Sequence, residues 1–492
     1  MNKVLRTIPL FTILLLVAYP AFAENMTLKQ VLETVLSNHP SLRTGDIDSA
    51  IARTESQRIA GMLDPTVTAR ITASEDTSPV SSDFQAAETR IGQLSGSIAQ
   101  PLENGGTVAA NLAYNRTSQA YNSPLAAQLS RFNPAYRNQI NLSYRHPLLK
   151  GADRPDYHES LRAAEAGVMS ADMQRQVIAH QLSLQTINVY YQLAADDINI
   201  RLAEQALKRA NKLLTYQRSR EQFGLIERAD RLQAEALVAA RKTDLQRAVS
   251  RRQSNLNSLN RLMLRPGNSE LLLQVQHSAP IDHPSMQQAV ERAEANRPEL
   301  QVLKAQMQAS EAQLSMAREA DDVQLDVIAE VGTRSLDTSA GTAALRGLSP
   351  NNHYAALSLE MSDVLMRNSA NAGIRKAELQ RQRILSERIS RMEQIKNDLS
   401  AAMTAIDSGK PVLQVARFQA EAEQRKFDAE MQRYREGRSD TATLVQFEGE
   451  LRNAELNADL QALTLQLAAR QLAWAQGTLQ HELGLTDNRT GQ

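Results

Sequence analysis

Apolar residues recur along this chain with two different periods. From Val168 to Phe223 there is neither glycine nor proline, and Val189, Leu193, Asp196, Ile200, Ala203, Leu207, Ala210 and Leu214 fall at alternating steps of four and three. That is a heptad seam broken only by Asp196, and it predicts one helix of roughly 84 Å at 1.5 Å per residue. After Gly224, residues 225–265 are again free of both breakers. The second half repeats the plan with residues 374–408 and 412–436, then 438–476, where Gly449 is the one interruption and Leu456, Leu460, Leu463 and Leu467 carry the seam. Long antiparallel coiled-coil hairpins are expected, with Arg, Gln and Glu on their wet faces.

Elsewhere the period is two. Val67, Ala69, Ile71 and Ala73 alternate with Thr68, Arg70, Thr72 and Ser74. Similar alternation marks Leu94 and Ile98, then Val108 to Tyr114, Ile140 to Tyr144, Val323 to Ala329, and Ala355 to Met361. Each segment is about nine residues, the length of a tilted membrane strand, although a water-facing sheet alternates in the same way. The connections favour the membrane. Glu103-Asn104-Gly105-Gly106 is a short turn, whereas 75–91, 117–137 and 332–352 are long and polar, so short and long connections alternate. Six strands are too few to close a membrane barrel, and open edges cannot sit in lipid, so copies of the chain must share one barrel.

The chain also repeats itself. Gln30, Glu33, Asn38, Pro40 and Leu42 recur in register as Gln288, Glu291, Asn296, Pro298 and Leu300. Two amphipathic helices ending at Asn-x-Pro could match by chance, but the order of elements that follows favours duplication. The expected organisation is a leader over 1–23, a first repeat over 24–265 with strands at about 66–146 and a hairpin tip near 224, and a connector over 266–284. A second repeat over 285–480 has strands at about 323–361 and a tip near 437, and 481–492 form a tail. Lys3 and Arg6, the apolar stretch Ile8–Ala18 and the small-x-small site Ala21-Phe22-Ala23 make 1–23 a secretory signal peptide. Beyond it no apolar run approaches 18 residues, so strands are the expected means of entering a membrane.

Composition narrows the chemistry. The 492 residues carry 55 basic and 55 acidic side chains, which argues against nucleic acid as a partner. The chain has no cysteine, which removes disulfides, thiolate metal sites and cysteine nucleophiles. Only 4% of residues are aromatic, which suits thin helix–helix seams better than a thick core. The eight histidines (39, 146, 158, 180, 277, 283, 353 and 481) show no ligand spacing, and no nucleophile elbow, P-loop or dinucleotide fingerprint occurs in a fitting context. No metal, cofactor or catalytic role is expected.

Over essentially all of 24–480 the sequence resembles the outer-membrane efflux proteins of the TolC type. The resemblance rests on Gln222-Phe223-Gly224-Leu225-Ile226 with Ala229-Asp230, on Tyr434-Arg435-Glu436-Gly437 with Leu444, and on His146-Pro147-Leu148-Leu149 with Gly151. It implies a homotrimer with a β-barrel in outer-membrane lipid and a periplasmic α-helical tube. It also implies a periplasmic adaptor and an inner-membrane pump as partners, in efflux or type I secretion. Members of that family usually contribute four strands per chain, two from each repeat, whereas four fall in the first repeat here. Either the shared barrel approaches 18 strands instead of 12, or the Leu94–Tyr114 hairpin lies outside the wall.

The same resemblance implies roles for particular residues. Gly224, Leu225, Gly437 and Arg438 match tips that meet the adaptor, where glycine permits the reversal. A plain helix cap would look the same. Asp230 and Tyr434 match an entrance-constricting pair joined by a hydroxyl–carboxylate bond, which two solvated polar residues near a turn would also resemble. An acidic ring of many members falls on neutral Thr443 and Gln446 here, with Asp440 as the nearby acid. The competing readings are a structural periplasmic coiled coil, which leaves the strands unexplained, and a periplasmic enzyme or binding protein, for which no pocket chemistry is visible.

Overall fold

The computed structural model describes residues 24–223, 228–275 and 283–485. The expected leader over 1–23, the tip residues Gly224 and Leu225, the middle of the connector and the end of the tail lie outside them. The chain forms two compact units. One takes residues up to 43, 177–297 and 394 onward, and the other takes 44–176 and 298–393.

In the first unit, β1 (Glu24–Thr27) pairs in parallel with β6 (Leu271–Gln274). Helix α1 (Leu28–Asn38) opens with a reciprocal cap. The Thr27 hydroxyl accepts the Gln30 N–H at 3.4 Å, and Gln30 Oε1 accepts the Thr27 N–H at 2.8 Å. Ser285 and Gln288 open α6 (Met286–Asn296) in the same way. Both helices stop before a proline, because the ring pushes the preceding residue, His39 or Arg297, into extended backbone. Pro40 and Pro298 then begin α2 (Pro40–Ala60) and α7 (Pro298–Glu319), at a position where the missing N–H costs no helical bond.

Four long helices follow, with matched lengths of 68, 35, 68 and 35 residues: α4 (Pro155–Gln222), α5 (Arg228–Leu262), α9 (Asn368–Arg435) and α10 (Thr441–Ala475). The breaks expected from the sequence within these helices do not occur, and α10 runs through Gly449. Helix α4 begins at Pro155 and passes through Gly167, and α9 passes through Gly409 and Pro411. One proline costs about 3 kcal/mol in a helix interior. Buried Ile395, Leu399, Ala402 and Ile406 before it, and Ala416 and Phe427 after it, hold the helix on both sides, while Pro411 itself is exposed.

The α4 seam is buried at Leu193, Asp196, Ala203, Ala210 and Leu214 and half-buried at Val189, Ile200 and Leu207. In α10 the buried stripe includes Thr441, Leu444, Glu448, Leu451, Ala454 and Ala458; of the expected leucines Leu463 is buried, and Leu456, Leu460 and Leu467 are half-buried. Spacing of leucines alone misplaces this seam, because small residues take the inside where helices approach closely. One core gathers Val31, Leu32 and Val35 with Ile187, Tyr190, Leu193, Leu256, Leu259 and Leu271. A second joins Leu213 and Leu214 of α4, Leu237 and Val238 of α5, Phe427 and Tyr434 of α9, and Leu444 and Leu451 of α10.

The second unit carries a six-stranded antiparallel meander: β2 (Thr66–Asp76), β3 (Ala86–Pro101), β4 (Thr107–Tyr121), β5 (Ala135–Pro147), β7 (Gln324–Asp337) and β8 (His353–Ser362). All six expected strand regions are strands, but longer than expected, at 10 to 16 residues, so they take up much of the polar connections. Val323 lies just outside β7. The β4–β5 and β7–β8 connections hold the short helices α3 (Pro124–Leu129) and α8 (Ala340–Gly347). Strands β3 and β4 are bonded on both sides, so the Leu94–Tyr114 hairpin is continuous with the sheet.

Register puts one apolar row across the whole sheet, in the order Val67, Ile98, Ala110, Leu142, Val331 and Ala355. The adjacent row, Thr68, Ser97, Asn111, Asn141, Gly332 and Tyr354, points to the opposite face.

Leu259 has no exposed surface in the first core. Leu259→Ala is expected to destabilise the protein by about 2–5 kcal/mol, read as a lower midpoint in chemical denaturation of the purified chain.

Candidate functional site

The end of α9 reverses at Gly437, whose φ of +76° is cheap only for glycine. The Gly437 N–H bonds the Tyr434 carbonyl at 3.1 Å and the Arg438 N–H reaches Arg433 at 2.9 Å. This pair of bonds satisfies the carbonyls that the helix end leaves open. Asp440 then caps α10, its carboxylate accepting the Thr443 N–H at 2.7 Å. That backbone bond holds the Asp440 carboxyl below its ordinary pKa. Asp440 is therefore committed to the helix end. Arg438 forms an ion pair with Glu436 and is otherwise exposed.

Each of the four long helices sends one polar side chain into a single cluster: Gln217 from α4, Asp230 from α5, Tyr434 from α9 and Thr441 from α10. Thr441 Oγ1 donates to Asp230 Oδ1 at 2.9 Å and lies 3.1 Å from the Tyr434 hydroxyl. With its own proton on Asp230, Thr441 accepts from Tyr434. The Gln217 amide donates to Thr441 Oγ1 at 2.6 Å and also to the Tyr434 hydroxyl. Gln217, Tyr434 and Thr441 are at most 3% exposed, and Asp230 is half-buried. Burial raises the Tyr434 pKa; its bond to Thr441 opposes that shift and the Asp230 charge adds to it, so the phenol stays a donor. Tyr216 packs edge-on against the Tyr434 ring, with centroids 5.8 Å apart.

The expected pair Asp230 and Tyr434 is thus brought together, but through Thr441 as a bridge. Sequence reading missed Gln217 and Thr441. A signal for the first existed, since Gln217 is the next seam position, three after Leu214. A buried polar residue on a seam needs a partner. The same holds for Asp196, which accepts from Asn255 at 2.5 Å, and whose carboxyl burial pushes up in pKa. It holds again for Glu448 on the α10 stripe. Arg241 Nη2 lies 2.5 Å from Glu448 and Arg209 Nε 3.3 Å from it, and Arg209 also reaches Glu455. Arg241 and Arg452 both meet Asp244, at 3.2 and 2.9 Å. Charges from α4, α5 and α10 therefore form one paired set around a carboxylate whose side chain is only 4% exposed.

Among the described residues no helix is long and apolar enough to cross a membrane, and no three His, Asp or Glu side chains converge as metal ligands. Thr443 and Gln446 are at the start of α10, where Gln446 bonds Glu450 at 2.8 Å.

No protein-family profile and no curated protein sequence matches the chain. Solved structures do. The CmeC outer membrane channel of Campylobacter jejuni is similar at 13% identity with a TM-score of 0.66, over 92% of this chain and 86% of that one. The outer membrane protein VceC of Vibrio cholerae is similar at 14% identity and a TM-score of 0.66, over 92% and 96% of the two chains. The open state of the MtrE outer membrane channel of Neisseria gonorrhoeae gives 18% identity and a TM-score of 0.64, over 92% and 89%. At these identities the likeness is one of fold, and the chain has the fold of the outer-membrane factor channels.

Thr441→Val keeps the shape of the bridge and removes its hydroxyl. Loss of the bond to a charged acceptor, with Tyr434 and Gln217 left unpaired, is expected to weaken the junction of the four helices by about 1.5–3 kcal/mol. Faster amide exchange confined to residues around 217, 230 and 434 would register the effect.

Proposed function

We propose that this chain is the subunit of an outer-membrane channel tunnel, which passes substrates from the periplasm to the outside without chemistry of its own. The observation that carries the reading is the apolar face of the sheet. Ile71 is 82% exposed and Leu357 78%, and Val67, Ile98, Leu142, Leu359 and Met361 are exposed with them. In water a contiguous face of this kind is an aggregation liability, since apolar area costs about 25 cal/mol per Å². Lipid removes that cost, and the alternation of apolar and polar faces is that of a membrane barrel wall. A structural periplasmic coiled coil would leave this face in water.

Six strands cannot close alone. A homotrimer, as the resemblance to TolC-type proteins implies, completes the barrel in outer-membrane lipid. The pairs α4–α5 and α9–α10 then act as antiparallel coiled-coil hairpins lining a periplasmic tube, one pair from each repeat, 24–265 and 285–480. Their matched lengths support the duplication. The tips at Gly224, Leu225, Gly437 and Arg438 dock a periplasmic adaptor, and an inner-membrane pump loads the substrate. Asp230 and Tyr434, with Thr441 and Gln217, tie the four helices at the entrance and bias it closed.

Detergent-extracted protein should come from the outer-membrane fraction and sediment as a trimer. A monodisperse monomer that keeps its β-signal contradicts the shared barrel.

For the entrance, Asp230→Ala combined with Tyr434→Phe removes both outer members of the chain of bonds. Larger single-channel conductance in planar bilayers and greater sensitivity of cells to large antibiotics are expected. Unchanged conductance would assign the cluster to packing alone.

A further inference from the structure

We infer that the barrel of this protein has eighteen strands, six from each of three copies, closed where β2 of one copy pairs with β8 of the next. The inference rests on the channel reading above and goes beyond it, because it fixes the wall and its joint.

The meander leaves both outer strands with one free side. Among the described residues, strand β2 bonds only β3, and β8 bonds only β7. Their lengths match at 11 and 10 residues. Six is an even number of alternating strands, so β8 of one copy meets β2 of another antiparallel, as every other neighbour in the sheet does. No reversal or gap is needed. The faces also continue. Lipid-side Val67, Ala69, Ile71 and Ala73 can stand opposite lipid-side Met361, Leu359, Leu357 and Ala355. On the polar side that register sets Arg70 of β2 opposite Ser358, with Glu360 of β8 as its diagonal neighbour across the joint, and both charged side chains are exposed.

The hairpin β3–β4 decides the strand number. If it lay outside the wall, β2 would have to bond β5, and the hairpin would need no lipid-facing side. Instead β3 and β4 separate β2 from β5, and the apolar row from Val67 to Ala355 crosses them at Ile98 and Ala110. Leu94, Ile98 and Leu112 are exposed on the same face as Leu142 and Val331. A strand spacing of about 4.8 Å and a tilt of about 40° give eighteen strands a backbone diameter of about 36 Å, against about 24 Å for twelve. The polar face of the extra hairpin adds amides and hydroxyls such as Gln93, Ser95, Ser97, Asn111 and Asn115 to the bore.

The natural absence of cysteine makes the test direct. Thr72→Cys would be combined in one chain with Ala356→Cys, Ser358→Cys or Glu360→Cys in turn, and oxidised in native membranes with copper phenanthroline. A covalent ladder ending at the trimer is expected for at least one pair. No cross-link with any of the three, or a ladder ending at the dimer, overturns the proposed closure. In parallel, single Leu112→Cys and Leu142→Cys chains carrying a fluorophore would be reconstituted with nitroxide-labelled lipid. Equal loss of fluorescence at both sites is expected, and little loss at an Asn111→Cys site. Quenching at 142 without quenching at 112 leaves a channel but overturns the eighteen-strand wall. Quenching at neither refutes the channel reading itself.

Discussion

The backbone donors and acceptors along the free sides of β2 and β8 are the constraint on which the rest depends. Inside a bilayer no water meets them, and each unpaired group costs several kcal/mol. In the proposed channel, an apolar face that calls for lipid, joined to two edges that lipid forbids, leaves a closed ring of copies as the stable state. Oligomerisation in the proposed channel is thus a condition of membrane insertion. The meander makes such closure simple, because an even number of strands lets identical copies join without changing direction.

The helices solve a different problem. Seams of Leu, Ala and Val hold them side by side, and apolar packing of that kind tolerates sliding. Three polar positions do not. Gln217, Asp196 and Glu448 sit where a seam would ordinarily take an apolar side chain, and each bonds residues of neighbouring helices. Breaking one member of such a set strands a buried polar group, which costs more than the intact pair contributes. These contacts fix the register of long helices and give the proposed entrance a discrete closed arrangement. Because the bonds at the Thr441 cluster are few and lie beside half-buried Asp230, a partner able to compensate them could release the junction.

Low aromatic content fits both parts. Seams built on Ala203, Ala206, Ala210, Ala234, Ala454 and Ala458 let helix axes approach closely, and little bulk is available to fill a thick core. Tyr434 is the instructive exception: its ring joins the second core while its hydroxyl serves the polar cluster.

Sequence alone determined the element types, because each follows from a local period. Alternation placed all six strands and put Val67, Leu94, Leu112, Leu142, Val327 and Leu359 on one face. Asn-x-Pro marked the ends of the two repeated helices. Asp230 and Tyr434 were legible through resemblance. Tertiary structure decided what depends on contacts distant in the chain. It carried α9 through Pro411, since packing on both sides outweighs one lost bond. It buried Ala454 and Ala458 of α10 in place of Leu456 and Leu460, since close approach favours small residues at those positions. It set β3 and β4 between β2 and β5, which no local period specifies. And it placed Thr441 between Asp230 and Tyr434, because a bridge among four helices exists only once all four are side by side.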